Sequence, residues 1–274
     1  MIKPILLSLS LLSLLQGCGG DGDSSGEAGP GGLGLTAPAA AEPTAAAIGS
    51  VTARFVPGKN SRYLLLSKFM QSVGRADDAE QADSGAIVRL GSNSLFGAQQ
   101  TVDVAGDAHF ALGRWLKGTL TQTSEPPKTS TLTGTDQDSY HYLAYNRLAE
   151  LPTSGQIQCT TVAATAPTAL TDAAVKTGSA SGTASVSFDA SGAAIKGTLQ
   201  VRAGADNATV DLSTQIEEAA SMSITGLLFG NGRGAGMVLA DQGNNVPALV
   251  VAYRADFPGG ALYNGVARFT CTNK

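Results

Sequence analysis

The clearest signal in this chain is a two-residue alternation of apolar and polar positions. In Gly182–Phe188, Ala184, Val186 and Phe188 fall on one face, and Thr183, Ser185 and Ser187 on the other. Leu199 and Val201 oppose Thr198, Gln200 and Arg202, and Val210 and Leu212 oppose Thr209, Asp211 and Ser213. A period of two with one apolar face predicts half-buried antiparallel strands. Between the runs lie Asp189-Ala190-Ser191-Gly192 and Gly204-Ala205-Asp206-Asn207, residues that favour tight turns. Upstream, Ser50–Val56 and Ser61–Phe69 flank Pro57-Gly58-Lys59-Asn60 and read as a hairpin, with a short helix over the Leu-rich Arg62–Met70 as the alternative. Asp77–Asp83 is acidic and reads as a loop. The succession of short strands predicts an all-β meander, closed as a barrel or folded as a sandwich.

Composition narrows the function classes. Glycine supplies 34 of 274 residues and charged residues only 15%, which argues against helix bundles and coiled coils. A net charge of −4 gives no electrostatic footprint for nucleic acid. Two His and three Cys leave little material for a zinc enzyme or an iron–sulfur protein.

The N-terminus carries an address. Lys3 precedes a Leu- and Ser-rich apolar stretch, Ile5–Leu15, too short to span a bilayer and suited to a signal peptide. It ends in Leu15-Gln16-Gly17-Cys18, which resembles the bacterial lipobox. The resemblance implies cleavage before Cys18 and acylation of its sulfur and amine, and hence a stable membrane anchor. Removal of residues 1–17 takes away Lys3 alone, leaving 17 basic and 22 acidic residues, a net charge of −5. Residues 18–47 are Gly-, Ala-, Ser- and Pro-rich and are expected to form a disordered tether, spanning roughly 30 Å root-mean-square if flexible. Gly19 follows Cys18 where an inner-membrane retention signal would place Asp, so the expected location is the bacterial outer membrane, with display on the cell surface open. A transmembrane barrel is the rival reading, but it calls for aromatic girdles, and aromatics make up only 5%.

With Cys18 assigned to lipid, Cys159 and Cys271 remain. Cys159 shares strand parity with Ile157, and Cys271 with Ala267 and Phe269, so both point to a core and can pair in an oxidising compartment. The alternative is two separate buried thiols. A bridge would tie the last strand to an earlier one and close a loop of about 110 residues, worth up to about 4.7 kcal/mol by chain entropy.

A family resemblance begins at Leu112-Gly113-Arg114-Trp115-Leu116-Lys117-Gly118-Thr119. It continues through His141-Tyr142, Leu151-Pro152-Thr153-Ser154-Gly155, the segment Ala164-Thr165-Ala166-Pro167-Thr168, and the Gly-rich Gly226–Val238, which contains Phe229, Gly230 and Gly236. This order resembles the small β-barrel domain of transferrin-binding-protein-B-like lipoproteins, over about Gly85–Phe269. It implies an eight-stranded antiparallel barrel, a lipocalin-like meander, over 85–274, with a small handle or hairpin at 48–84. It further implies an exported protein that binds or scaffolds a partner. The bilobed transferrin receptors are much longer, and their transferrin-contacting loops have no match here, so transferrin binding is not carried over. The Cys159–Cys271 bridge is not part of the family pattern.

From the residues themselves, Trp115 is expected to plug one barrel end with its N–H on a backbone carbonyl. Arg114 could lie against an aromatic ring, and Pro152-Thr153-Ser154-Gly155 is turn chemistry. Candidate catalytic chemistry is sparse. The chain has no H-E-x-x-H and no C-x-x-C; Gly58-Lys59 lacks the upstream Gly of a P-loop; and Gly230–Gly236 fails the dinucleotide fingerprint at its last position. Asp136-Gln137-Asp138 and Glu217-Glu218 read as solvated. His109, with His141 or Tyr140, could serve as haem ligands, although no cofactor is expected.

The leading expectation is therefore a non-catalytic outer-membrane lipoprotein whose barrel binds a host or environmental protein or ligand through its end loops. Its partners would be the membrane, through the lipid anchor, and that ligand, but no nucleic acid. The alternatives are a carrier of a small apolar ligand or haem inside the barrel, and a structural envelope component. The interior separates them: a barrel filled by side chains is a scaffold, and a hollow one is a carrier.

Overall fold

Two antiparallel sheets divide the chain near residues 146–154. The computed structural model describes residues 49–274, apart from 69, 124–125, 171–177 and 226–232. The lipobox, Cys18, the tether, Phe229 and Gly230 lie outside the described residues.

The first sheet contains β1 (Arg62–Leu66), β2 (Gln71–Arg75), β3 (Glu80–Gln81), β4 (Ile87–Leu90), β5 (Asn93–Asp107), β6 (Phe110–Gln122), β7 (Lys128–Thr133) and β8 (Tyr140–Tyr145). Its order is β2-β1-β8-β6-β5-β4-β3, with β7 on the half of β6 that β8 does not reach. The second sheet contains β9 (Gly155–Ala164), β10 (Thr168–Ala169), β11 (Gly178–Asp189), β12 (Gly192–Ala203), β13 (Asp206–Asp211), β14 (Thr214–Ile216), β15 (Ser223–Thr225), β16 (Gly234–Asp241), β17 (Pro247–Asp256) and β18 (Leu262–Asn273). Its order is β13-β12-β11-β9-β18-β17-β16-β15, with β10 on β18 and β14 on β12. A 3-10 turn at Asp136–Asp138 is the one helical element among the described residues.

The all-β expectation holds, but a single closed eight-stranded barrel over 85–274 does not. Each sheet curls into a half-barrel over its own core. In the second sheet the first and last strands, β9 and β18, are neighbours. On the far side, β14 and β15 approach each other through the hydroxyls of Thr214 and Ser223, but no ladder joins them. Alternation reports which face of a strand is buried and carries no information on which strands meet at a seam.

The expected hairpin at 48–84 is also rearranged. Arg62–Leu66 is a strand, not a helix, and its partners are β2 and β8 rather than residues 50–56. Val51 instead makes an isolated parallel bridge to Gly106. The acidic stretch supplies the two-residue β3, flanked by Arg89 ion pairs to Asp78 and Glu80.

Three cores explain the sequence pattern. The first sheet encloses Tyr63, Leu65, Ile87, Leu90, Trp115 and Tyr142. The second encloses Val186, Phe188, Leu199, Met237, Leu249, Tyr253 and Phe269. Between them lies an apolar seam, in which Leu64, Leu66, Phe110, Leu112, Leu143 and Tyr145 of the first sheet meet Val238, Val250, Ala252 and Val266 of the second. The sheets thus pack back to back. Strands β1, β8, β16 and β17 are buried on both faces along almost their whole length and read as continuous apolar runs. Strands β11, β12 and β13 keep one face in solvent and show the clean alternation read from the sequence.

Cys159 and Cys271 are directly opposed across β9 and β18 and form a disulfide. It joins residues 112 apart in sequence and locks the first strand of the second sheet to its last. Replacing both cysteines by serine is expected to lower the unfolding free energy by about 2–5 kcal/mol, read from urea transitions of the oxidised parent and the double variant.

Candidate functional site

The residues singled out from the sequence converge on the middle of the first sheet and the seam behind it. Strands β6 and β8 pair so that Gly113 faces Tyr142, Arg114 faces His141 and Trp115 faces Tyr140. On the inner face, Tyr142 lies flat over Gly113, where any Cβ would collide with the phenol oxygen. Trp115 packs at 5.7 Å between ring centroids from Tyr142. Both aromatic side chains reach across the half-barrel to one residue. The Trp115 indole N–H donates to the Ile87 carbonyl at 2.6 Å, and the Tyr142 oxygen accepts the Ile87 N–H at 3.0 Å. Burial raises the Tyr142 phenol well above its ordinary range. Trp115 therefore fills the concave side of the first sheet. In the second sheet Tyr253 lies over Gly265 in the same way.

On the outer face of the same strands, Arg114 and His141 point into the seam. Arg114 is fully buried and does not stack on a ring. Its Nε donates to Asp103 Oδ2 at 2.9 Å, and its Nη1 pairs closely with Asp136. Burial alone would lower the guanidinium, but the two carboxylates outweigh it and its pKa rises. Asp136, read from the sequence as solvated, is drawn in because the 3-10 turn packs beside β10 and aims its first carboxylate at Arg114. Asp103 sits at φ +58° inside an irregularity of β5 between Val102 and Ala105. The bulge turns its carboxylate toward the second sheet, where Oδ2 also accepts the Ala166 N–H at 3.0 Å.

His141 is completely buried and hydrogen-bonded at both ring nitrogens. Nδ1 lies 2.7 Å from Thr165 Oγ1, and Nε2 lies 2.7 Å from Thr168 Oγ1. Thr168 donates its proton to Asn264 Oδ1 at 2.9 Å, so its oxygen accepts from His141 Nε2–H. Nδ1 then accepts the Thr165 hydroxyl, whose oxygen takes the Val266 N–H at 3.1 Å. Desolvation, with a smaller push from Arg114, holds the His141 pKa well below its usual value, and the ring is neutral. The G-R-W, H-Y and A-T-A-P-T segments thus build one buried polar network that fastens the two sheets together.

The remaining candidates lie apart from it. His109 is in the β5–β6 turn, five ladder positions from His141, about 17 Å along the strand, and the two do not share a site. Gly118 lies opposite Leu132 of β7, where the β5–β6 register shifts between Phe96 and Gln100. Pro152 and Thr153 lie in the link between the sheets, Gly155 opens β9, and Gly236 lies in β16 opposite Ala252. Among the described residues no group of three or more His, Cys, Asp and Glu side chains could hold a metal ion.

Sequence reading missed Asp103, Thr165, Thr168 and Asn264 as one group, and also Arg268. Arg268 is buried in the seam over the Phe110 ring, 5.1 Å from its centroid, and is pushed down to about 10 by burial. A lone Arg in the apolar run Val266–Phe269 was the one available signal for it.

Arg114→Met leaves the Asp103 carboxylate buried without its cation and is expected to cost about 3–5 kcal/mol in urea unfolding. Adding Asp103→Asn is expected to recover part of that loss, with a double-mutant coupling of about 1–3 kcal/mol. Comparison with protein-family models, curated proteins and solved structures returns no match to this chain.

Proposed function

We propose that this chain is a lipid-anchored, non-catalytic protein of the bacterial outer membrane. In this reading its body resembles the small β-barrel domain of transferrin-binding-protein-B-like lipoproteins and presents end loops to a host or environmental partner. The observation that carries this reading is the filling of the second half-barrel by side chains, including Phe188, Leu199, Met237, Leu249, Tyr253 and Phe269. A half-barrel filled in this way acts as a scaffold and leaves recognition to its surface.

The carrier alternative is disfavoured by the same filling. The haem variant is disfavoured further by His141. One of its nitrogens donates to Thr168 and the other accepts from Thr165, so neither has a lone pair for iron. The polar groups of the seam are likewise committed to one another, with Arg114 held between Asp103 and Asp136. That is a structural arrangement rather than one poised to act on a substrate.

Protease treatment of intact cells, followed by blotting for the folded body, tests the reading. Loss of the signal is the expected result. Full protection would place the body in the periplasm and favour the envelope-component alternative. Cys18→Ser is expected to move the protein from the membrane fraction to the soluble fraction, and persistent membrane association would remove the lipid anchor from the proposal.

A further inference from the structure

The segment Thr165–Leu170 crosses the seam as a strap. To the second sheet it is tied by backbone. Thr165 N–H donates to Val266 O at 3.0 Å, Thr168 and Ala169 pair with Asn264 and Tyr263, and Leu170 N–H donates to Leu262 O at 2.8 Å. Its hydrogen bonds to the first sheet run through two side chains. Asp103 takes the Ala166 N–H, and His141 accepts the Thr165 hydroxyl at Nδ1 and donates to the Thr168 oxygen from Nε2. No residue of the strap belongs to the apolar seam. The strap can therefore part from the first sheet without that seam opening.

We propose that His141 is an acid-sensitive latch that releases the Thr165–Leu170 strap from the first sheet when its imidazole takes a proton, while the apolar seam beneath stays closed. The chemistry follows from the surroundings of the ring. In the closed state Nδ1 accepts the Thr165 hydroxyl. A proton on Nδ1 makes both nitrogens donors, and Thr165 must turn its own proton to Val266 O at the longer distance of 3.4 Å. The charged groups around the ring do not favour that proton. On β6, Arg114 faces His141 directly, and its charge is already matched by Asp103 of β5 and Asp136 of the 3-10 turn. On β1 the paired residue is Leu66. The second sheet offers Thr165, Thr168 and Asn264, none of which titrates, and Arg254 lies across from Asn264. Beyond them, the Tyr253 phenol is held neutral by burial. With no carboxylate at its own nitrogens, the ring gains a proton more readily in the released state, where water reaches it. Acid therefore drives release.

Amide exchange followed by NMR, corrected for intrinsic rates, distinguishes a latch from general acid unfolding. In the full chain, exchange at Ala166 is expected to rise about tenfold per pH unit below about pH 6, one proton being taken up on release. Thr165 and Leu170, bonded to the second sheet, and Leu249 in its core are expected to stay protected over the same range. His141→Gln keeps an amide at the ring's position but cannot titrate, and is expected to flatten the Ala166 profile. Thr168→Val removes one hydroxyl of the latch and is expected to raise Ala166 exchange several-fold at neutral pH while leaving the acid slope. An unchanged slope in folded His141→Gln overturns the proposal, as does a rise at Leu249 in step with Ala166. Should His141→Gln not fold, the wild-type His141 ring-proton titration must share its midpoint with the Ala166 amide shift. Separate midpoints overturn the proposal equally.

Discussion

Strands buried on both faces impose the governing constraint on this protein. Where β8 crosses β6, and where β17 and β18 lie behind them, no side chain has a face left for solvent, so each polar group there must find its partner inside the protein. The back-to-back seam is mostly apolar, but Arg114, His141, Arg254, Arg268 and Asn264 stand in or beside it. Their neutralisation dictates local geometry elsewhere. The positive φ of Asp103 and the placing of the 3-10 turn at Asp136 both serve the guanidinium of Arg114. The interruption between β9 and β10 sets Thr165 and Thr168 at the two nitrogens of His141. Polar groups of this kind add little net stability over a well-packed apolar pair, but they fix a single register between surfaces that hydrophobic contact alone would let slide.

The sequence was most legible where a strand keeps one wet face. The residues Ala184, Val186 and Phe188, with Leu199, Val201, Val210 and Leu212, are buried in the phase their alternation announces, and the turns between them are as short as their Asp and Gly content suggests. The same parity placed Cys159 and Cys271 on the inner face, where they meet. Legibility fails where both faces are buried, because alternation vanishes. Tyr140–Tyr145 and Pro247–Asp256 have no polar face from which to infer the side each residue takes. Division into two sheets follows from that double burial, so a reading built on one-sided strands collapses them into one barrel.

The candidate site was legible in its parts and not in its purpose. The G-R-W and H-Y pairs were recognised as belonging to one pattern, and the register of β6 on β8 is what unites them. Their two faces do different work. Gly113, Trp115 and Tyr142 close the inner core through the single backbone unit of Ile87, while His141 directly, and Arg114 through Asp103, reach the neighbouring sheet. An Asp in a β-bulge or at the start of a 3-10 turn carries no sequence mark that separates a buried ion-pair partner from a solvated loop residue. From sequence Asp136 therefore reads as solvated, and Asp103 carries no signal at all.

The first described residues, 49–52, lie at the junction of the two sheets. Gly49 lies where any Cβ would press on Ala105 of β5 and Ala163 of β9 together, at 2.9 Å from each. Just beyond it, Thr52 N–H donates to Gly106 O at 2.8 Å, and Gly106 N–H to Ser50 O at 3.1 Å. The incoming strand is thus laid along the junction of the two sheets, beside the Asp103 bulge, rather than attached to the outside of either. The disulfide joins β9, whose Ala163 lies against Gly49, to β18, so the strand at this junction is cross-linked to its neighbour.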